Sequence, residues 1–255
     1  MSDFDVALRG FAALDGEALS RPWSWRDKAM DVRFALYRTL EDAQEVHVRL
    51  AAARIPESRR IMALAQRAFG NLRGLLAGLP ADLLDRAPAA GEWPLRETLR
   101  HMLLVERRYA VQTRYALDRK ESEPVRIPDD RQPTVTAQDG EGDVDTIVAR
   151  IGAARADSNR WLGDAEGPAL DRPTIWAGYE IDVRFRLHRF SAHVVEHTIQ
   201  IEKTLSALGR PQTEGRRIAR HVAAAIAEIE GLGALADARA LEARLVERHA
   251  SVAHE

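Results

Sequence analysis

The chain of 255 residues contains no cysteine. Disulfide bonds, thiolate metal ligands and a nucleophilic cysteine are therefore excluded, and any thiol chemistry must use a thiol from another molecule. Aromatic residues make up only 6% of the chain, whereas the helix-favouring residues alanine, leucine, arginine and glutamate are abundant. This composition favours helices over a β-rich fold.

An excess of one charge and long apolar runs are also lacking. The formal net charge is −2, so the composition indicates neither nucleic acid nor an anionic membrane as a partner. No segment approaches the length of a membrane span, and the first ten residues contain acids and no apolar core, unlike a signal peptide. We therefore expect a cytoplasmic location.

Apolar residues at helical spacing predict an all-α fold. Pro56 and the pair Gly209 and Pro211 mark helix ends. Two polar segments, 120–143 and 167–182, are predicted as irregular connections, and the first is long enough to cross the bundle or overhang one end. No internal repeat is recognised. The predicted helices span residues 27–54, 58–79, 93–118, 142–163, 182–208, 213–230 and 235–250, preceded by a partly helical arm.

The segment RLHRFSAHVVEHTIQI contains two histidines one helical turn apart. His193 and His197 have i, i+4 spacing, so they lie about 40° apart around a helix and can both reach one ion. Arg186, Arg189 and Gln200 follow the same polar row beside an apolar stripe. The pair could also arise by chance on a solvated face, so a metal site requires a third ligand.

A third ligand has to come from another helix. His101 is the candidate, because it lies at the edge of the apolar arc of helix 93–118; the alternative is a border histidine that only forms a hydrogen bond. Glu106 points into the same arc, so it is either paired with a buried arginine, or acts as a base or supports a ligand. His188 lies about 140° from the histidine pair and is excluded as a ligand.

The segments WPLRETLRH, at 93–101, and HVVEHTIQIEKTLSALGRP, at 193–211, resemble the DinB-like superfamily of DinB/YfiT-type metal-binding four-helix bundles. The resemblance spans about residues 57–211. It implies a bundle in which His101 and the later histidine pair hold a divalent metal. In the related mycothiol-dependent isomerases the first residue of that pair is glutamate, so His193 makes the chain more similar to the tri-histidine members.

The rest of the chain extends this core of residues 57–211. Residues 1–56 are predicted as an N-terminal arm and helix, and residues 212–255 as a C-terminal helical extension. These segments could cover the pocket, add a dimer surface or stabilise the fold, and a possible homodimer is predicted by analogy alone. Gly70 and Gly74 lie inside a predicted helix, and close packing against another helix is the simplest explanation for them.

Three imidazoles leave a divalent ion an open coordination position, as in catalytic sites. Such ligands suit Zn, Ni, Fe or Mn, and the sequence does not choose among them. The resemblance implies an S-transferase that acts on a small molecule with an external low-molecular-weight thiol, such as mycothiol or bacillithiol. Arg186 and Arg189 could hold a carboxylate of thiol or substrate; alternatively, they face solvent or pair with Glu106.

Two other functions remain open from the sequence. The same metal site could serve a hydrolase that uses metal-bound water, with Glu106 or Glu97 as the base. The chain could also be a non-enzymatic helical protein, related to stress, that binds metal or ligand without turnover. Gln200 is a third candidate for contact with a substrate.

Overall fold

The computed structural model of the chain describes residues 1–254 and confirms the predicted all-α fold. Within these residues, β-structure is limited to two antiparallel hairpins of two strands each. None of the helices in this part of the chain combines the length and the apolar character needed to cross a membrane. The elements are α1 (Asp3–Ala13), α2 (Gly16–Leu19), β1 (Pro22–Trp25), β2 (Lys28–Asp31), α3 (Val32–Leu50), α4 (Glu57–Leu76), α5 (Leu95–Asp118), α6 (Val144–Leu162), β3 (Pro173–Trp176), β4 (Tyr179–Asp182), α7 (Val183–Ala207), α8 (Glu214–Gly231) and α9 (Leu235–His254).

Each of the two hairpins leads directly into a long helix, α3 or α7. The strands pair across two-residue turns, Arg26–Asp27 and Ala177–Gly178. All four turn residues have positive φ, between 48° and 85°, which matches the backbone twist of tight hairpins. The sequence prediction missed both hairpins, and the helix predicted from residue 27 begins at Val32. The hairpin–helix unit occurs twice in the chain, as β1-β2-α3 and as β3-β4-α7. The sequence prediction did not recognise this internal repeat.

Helices α4, α5, α6 and α7 form a four-helix bundle, which we call the central bundle. α4 packs against α6 and α7, and α5 packs against the same two helices. Their apolar stripes face inward, and burial of this surface supplies most of the stabilisation. The interior contains buried residues from all four helices, among them Leu72, Leu99, Ile147, Leu187 and Ile201.

α5 and α6 run in the same direction, so the segment 119–143 that joins them crosses the length of the bundle. Near the start of both helices, Arg96 Nη1 donates a hydrogen bond of 2.9 Å to the Gly142 carbonyl oxygen. Near their ends, Arg114 Nη1 donates to the Trp161 carbonyl oxygen at 3.3 Å. Of the two courses that the sequence left open for this segment, the crossing is the one observed.

Helices α1, α3, α8 and α9 form a second four-helix bundle, which we call the terminal bundle. α8 packs against α1 and α3, and α9 packs against the same two helices. Residues 1–50 and 214–254, which are far apart in sequence, therefore share one core. Its buried residues include Leu8, Phe11, Leu36, Val222 and Leu245.

The two bundles contact each other mainly through α4 and α8, which form the most extensive helix pair. A Cβ atom at Gly70 would lie 2.5 Å from the Ala223 carbonyl oxygen, and one at Gly74 would lie 2.7 Å from Arg220 Cα. Both distances are too short for any side chain. The prediction that these glycines allow close helix packing is confirmed.

Candidate metal centre

Helix α7 carries two of the three histidines. Asp182 caps its first turn, because the carboxylate accepts a hydrogen bond of 2.6 Å from the Phe185 backbone N–H. From this start, the helical period turns His193 and His197 to the same side, at the border of the apolar stripe. Their side chains are largely buried, with relative exposures of 7% and 8%.

The third histidine, His101, comes from α5, which packs against α7. Its Nε2 atom lies 3.2 Å from Nε2 of His193. The His101 ring centroid is 5.2 Å from that of His193 and 4.8 Å from that of His197. The tertiary structure thus brings together three imidazoles from two helices.

Gln200 fixes the orientation of the His197 ring. The Oε1 atom of Gln200 lies 2.8 Å from Nδ1 of His197. An N–H at Nδ1 that donates to this oxygen leaves the Nε2 lone pair free for a ligand bond, the usual arrangement around metal-binding histidines. The sequence suggested substrate contact for Gln200, and in the structure its side-chain oxygen contacts the His197 ring.

The protonation of the histidines also suits metal binding. Burial lowers the pKa of the His193 imidazole to about 3, and the neighbouring His197 and His101 act in the same direction. Burial, again with His197, lowers the pKa of His101. Both rings are therefore neutral at physiological pH, as a metal ligand must be.

The geometry fits a divalent ion held by three imidazoles. One nitrogen from each ring lies within 4.8 Å of the other two. Two nitrogens on a tetrahedral ion, each about 2.05 Å from it, are separated by roughly 3.3 Å, close to the 3.2 Å between His101 and His193. His101, His193 and His197 are therefore the residues that would hold the ion, and all three line the cavity described next.

The three histidines line one wall of a cavity of about 430 Å³, which we call the histidine pocket. The second hairpin and α5 contribute further lining residues, among them Trp176, Tyr109 and Gln112. Tyr109 is in edge contact with His193, with ring centroids 5.8 Å apart. The wall residues also include Val105, Arg108, Ile175, Ala177, Arg186, Arg189 and Glu196.

Arg186 is a buried cation in this pocket and has no carboxylate partner within the described residues. Its Nη1 donates to Gln112 Oε1 at 2.7 Å and its Nη2 to the Ile175 carbonyl oxygen, while its buried Nε has no hydrogen-bond partner. Burial lowers the pKa of the guanidinium to about 10, and Tyr109 opposes this shift. The side chain therefore stays charged at neutral pH without a counter-ion from the protein.

Arg189 also lines the pocket. Its guanidinium lies over the ring of Trp176, 4.7 Å from the centroid, and its buried Nε has no partner. Its nearest acid is Glu196, at 3.8 Å, whose side chain is 65% exposed. Neither arginine pairs with Glu106, which was one of the possibilities that the sequence left open.

Glu106 lies outside the histidine pocket. Its carboxylate accepts hydrogen bonds from Arg155 Nη1 at 2.8 Å and from Ser158 Oγ at 2.5 Å, in the interior of the central bundle. The other candidate base, Glu97, accepts a bond of 2.6 Å from Arg100 and is partly exposed. The structure therefore places neither acid on the pocket wall, and Glu106 takes the buried pairing with arginine.

Trp176 and Glu196 are pocket residues that the sequence analysis did not single out. Trp176 was hidden in a segment assigned as irregular, because the strands are short and Ala-Gly is not one of the usual dipeptides of a two-residue hairpin turn. Glu196 lies one residue before His197, a position that helical spacing alone places off the polar row. Contacts between α5 and the second hairpin are needed to identify this wall.

The fold and the site define an all-α protein in which a four-helix bundle presents three histidines that can hold a metal ion. Comparison with protein families agrees: the DinB superfamily model matches residues 64–201, which is more than half of the chain. The chain belongs to the DinB superfamily. A search of curated proteins found no match.

Proposed function

We propose that the protein is a metal-dependent S-transferase that joins an external low-molecular-weight thiol to a small anionic electrophile. The observation that carries the proposal is the pairing, in one pocket, of the three-histidine cluster with the buried, acid-free guanidinium of Arg186. Because the chain has no cysteine, the thiol has to come from solution, and mycothiol or bacillithiol are the candidates that the family resemblance suggests.

His101, His193 and His197 would hold the ion, and Gln200 would fix the orientation of the His197 ring through its contact with Nδ1. A bound divalent ion supplies positive charge that lowers the pKa of a nearby thiol, so that the nucleophilic thiolate is present at neutral pH. Zn, Ni, Fe and Mn are all compatible with imidazole ligands. The roles of the other pocket residues follow from their own positions.

Arg186 and Arg189 would bind the anionic group of the substrate or thiol. Both side chains line the histidine pocket, and a carboxylate can accept from a guanidinium in a strong, directional hydrogen bond. The Arg189 guanidinium lies over the ring of Trp176, 4.7 Å from its centroid, and the Arg186 guanidinium lies over the ring of Tyr109, at 4.9 Å. This cationic wall favours an anionic ligand over a neutral one.

Hydrolysis is less well supported by the pocket. A hydrolase needs a base beside the attacking water, and the acids proposed from the sequence, Glu106 and Glu97, do not line the histidine pocket. The carboxylate on its wall, Glu196, is largely exposed and faces Arg189. A transferase needs no such base once the thiol is ionised.

The test begins with untagged protein, whose metal content is measured by elemental mass spectrometry. The metal-loaded protein is then incubated with monochlorobimane or with a carboxylate-bearing epoxide, together with mycothiol, bacillithiol or glutathione, and S-conjugates are quantified. His193→Ala should lose both metal and conjugation. His188→Ala, an exposed histidine of the same helix, is the matched control and should lose neither.

Arg186→Gln tests the anion site separately from the metal. We expect metal content to be retained and KM for the carboxylate substrate to rise at least tenfold, with little change for its neutral amide. Arg210→Gln, at an exposed arginine three residues after the end of α7, is the control. Turnover without any thiol would favour the hydrolase, whereas full metal loading without turnover would overturn the transferase proposal.

A further inference from the structure

The two hairpin–helix units are copies of one sequence. Residues 16–50 align with residues 167–201 without a gap, and 13 of the 35 positions are identical. The clearest shared segment is Asp-Val-Arg-Phe, at 31–34 and at 182–185. The copies fold alike: in both, the aspartate caps the helix through a hydrogen bond from the backbone N–H of the phenylalanine.

Helices α4 and α8 also share sequence. Each begins with Glu-x-Arg-Arg-Ile, at 57–61 and at 214–218. The glutamate of each motif pairs with the arginine of the Asp-Val-Arg-Phe segment in its own bundle. Glu57 accepts from Arg184 Nε at 2.6 Å, and Glu214 accepts from Arg33 Nε at 2.6 Å. The same ion pair thus joins the same two helices in each bundle.

The contact between α4 and α8 is reciprocal. Aligned through the shared motif, Gly74 corresponds to Gly231, and Ala63 corresponds to Arg220. A Cβ at Gly74 would lie 2.7 Å from Arg220 Cα, and a Cβ at Gly231 would lie 2.7 Å from Ala63 Cα. Reciprocal contact between equivalent residues is the property of a two-fold interface between identical subunits, here found inside one chain.

The helix order explains how one chain contains both bundles. The central bundle follows the order α4, α5, α6, α7, and the terminal bundle matches it in the order α8, α9, α1, α3. In both orders the first and the second helix each pack against the third and the fourth. Each of the segments 51–56 and 208–213 leads from the last helix of one bundle to the first helix of the other. The end of α9 and the start of α1 therefore occupy, in the terminal bundle, the position that the crossover segment 119–143 occupies in the central bundle.

The terminal bundle has a pocket at the position that corresponds to the histidine pocket, with a volume of about 470 Å³. Trp25 and Arg38 occupy the positions of Trp176 and Arg189. Asp42 replaces His193 and accepts hydrogen bonds from Arg38 and from Arg248 of α9, at 2.6 Å and 2.7 Å. An ion-pair network has taken the place of the imidazoles.

Val46 replaces the other histidine of the pair, His197, so the terminal pocket lacks both imidazoles of the H-x-x-x-H motif. A carboxylate already bonded to two arginines has little capacity left for a cation, and the arginines repel one. The terminal pocket therefore lies at the position equivalent to the histidine pocket but lacks the imidazoles that would hold a metal ion.

We infer that the chain is a fused pair of equivalent four-helix bundles, in which the terminal bundle takes the place of a second subunit on α4 and has lost the metal site. The functional unit is then one chain with one metal ion, because α8 covers the face of α4 that a second chain would need. The homodimer predicted by analogy is replaced by an internal one. This inference is independent of the reaction proposed above.

Two measurements on the full-length protein test the inference first. Sedimentation equilibrium should give a monomer of 28.5 kDa, and elemental analysis after saturation with zinc should give one tightly bound ion per chain. Asp42→Ala should leave that stoichiometry unchanged, whereas His193→Ala should abolish binding. A dimer, or a second ion that is lost in Asp42→Ala, would overturn it.

A circular permutant tests the equivalence of the bundles. It starts at Glu57, joins the original ends through a glycine–serine linker as long as residues 119–143, and ends at Pro56. We expect a monomer with native helicity, a Tm within a few degrees of the original and one zinc ion. The matched control opens the chain between Phe69 and Gly70, inside α4, and should not fold. If the permutant that starts at Glu57 also fails to fold, the proposed equivalence between the helix orders of the two bundles is contradicted.

Discussion

Arg155 and Glu106 form an ion pair deep in the central bundle, with 2.8 Å between Nη1 and Oε1 and side-chain exposures of 0% and 4%. Ser158 donates a further hydrogen bond to the same carboxylate oxygen, and Asn159 accepts one from Arg155 Nη2. A buried ion pair of this kind contributes only modestly to the free energy of unfolding. Removing one partner, however, leaves an uncompensated charge in the interior.

Glu106→Gln should therefore destabilise the protein by about 3–5 kcal/mol, as measured by urea unfolding. Because Glu106 lies outside the histidine pocket, metal content at temperatures below the transition should not change. Glu97→Gln removes a partly exposed pair and should cost about 1 kcal/mol or less. Normal stability of Glu106→Gln together with loss of activity would instead assign a base role to this glutamate.

Gln200→Ala should weaken metal affinity about 10- to 100-fold, the usual cost of losing a hydrogen-bond partner of a ligand histidine. Gln200→Glu keeps an acceptor for the His197 Nδ1–H and should retain most of the affinity. Competition with a fluorescent zinc chelator measures both variants, with His188→Ala as the control. Unchanged affinity in Gln200→Ala would mean that the His197 ring needs no support from Gln200.

Stability should depend on the ionisation of Asp42. Burial by itself would raise the pKa of this carboxyl group, but hydrogen bonds from Arg38 and Arg248 outweigh it and hold the pKa below the usual 3.8. A lowered pKa in the folded state gives stability that is present above the unfolded pKa and is lost as pH falls through the folded value. The contribution is therefore complete at neutral pH and disappears in acid.

Asp42→Asn should accordingly lower the free energy of unfolding by about 2 kcal/mol at neutral pH, because it leaves Arg248 without its carboxylate partner and removes one of the carboxylates that pair with Arg38. The difference from the unchanged protein should shrink once the pH falls below about 4. Urea unfolding at several pH values measures it, with Glu247→Gln, at an exposed glutamate of α9, as control. A difference independent of pH would show that shape, rather than charge, makes Asp42 important.

The reciprocal contact between α4 and α8 predicts matched effects of two glycine substitutions. Gly74→Ala and Gly231→Ala each place a Cβ 2.7 Å from a backbone Cα of the other helix, so each should destabilise by about 1–3 kcal/mol through overpacking. Calorimetric Tm values measure both. Gly16→Ala, where the nearest atom would be 3.7 Å away, is the control, and markedly unequal losses would contradict the two-fold relation.

Much of the central bundle could be predicted because its signals are local. Apolar residues at helical spacing and Pro56 gave α4, and the H-x-x-x-H spacing placed His193 and His197 on one side of α7. The hairpins were missed because four-residue strands carry little alternation. The pairing of Glu106 with a buried arginine was one of the alternatives, but the sequence did not identify that arginine as Arg155, since it lies on another helix.

The terminal bundle was not predictable in this way. Its helices were recognised at both ends of the chain, but periodicity reports a buried face without naming the helix that covers it. The repeat is visible in the printed sequence once residues 16–50 are set beside residues 167–201. The two units differ at the functional positions, where Asp42 aligns with His193. A search for histidines shared by both units therefore does not find the repeat.

The sequence by itself determined the helical class, the absence of thiol chemistry within the chain and the side of α7 that bears the histidines, because these depend on composition and on the period of one helix. The tertiary structure decided which third histidine joins the pair, which arginine stays without a counter-ion and how the chain ends close a second bundle. These properties depend on contacts between residues far apart in the chain, and packing of whole helix faces selects such contacts.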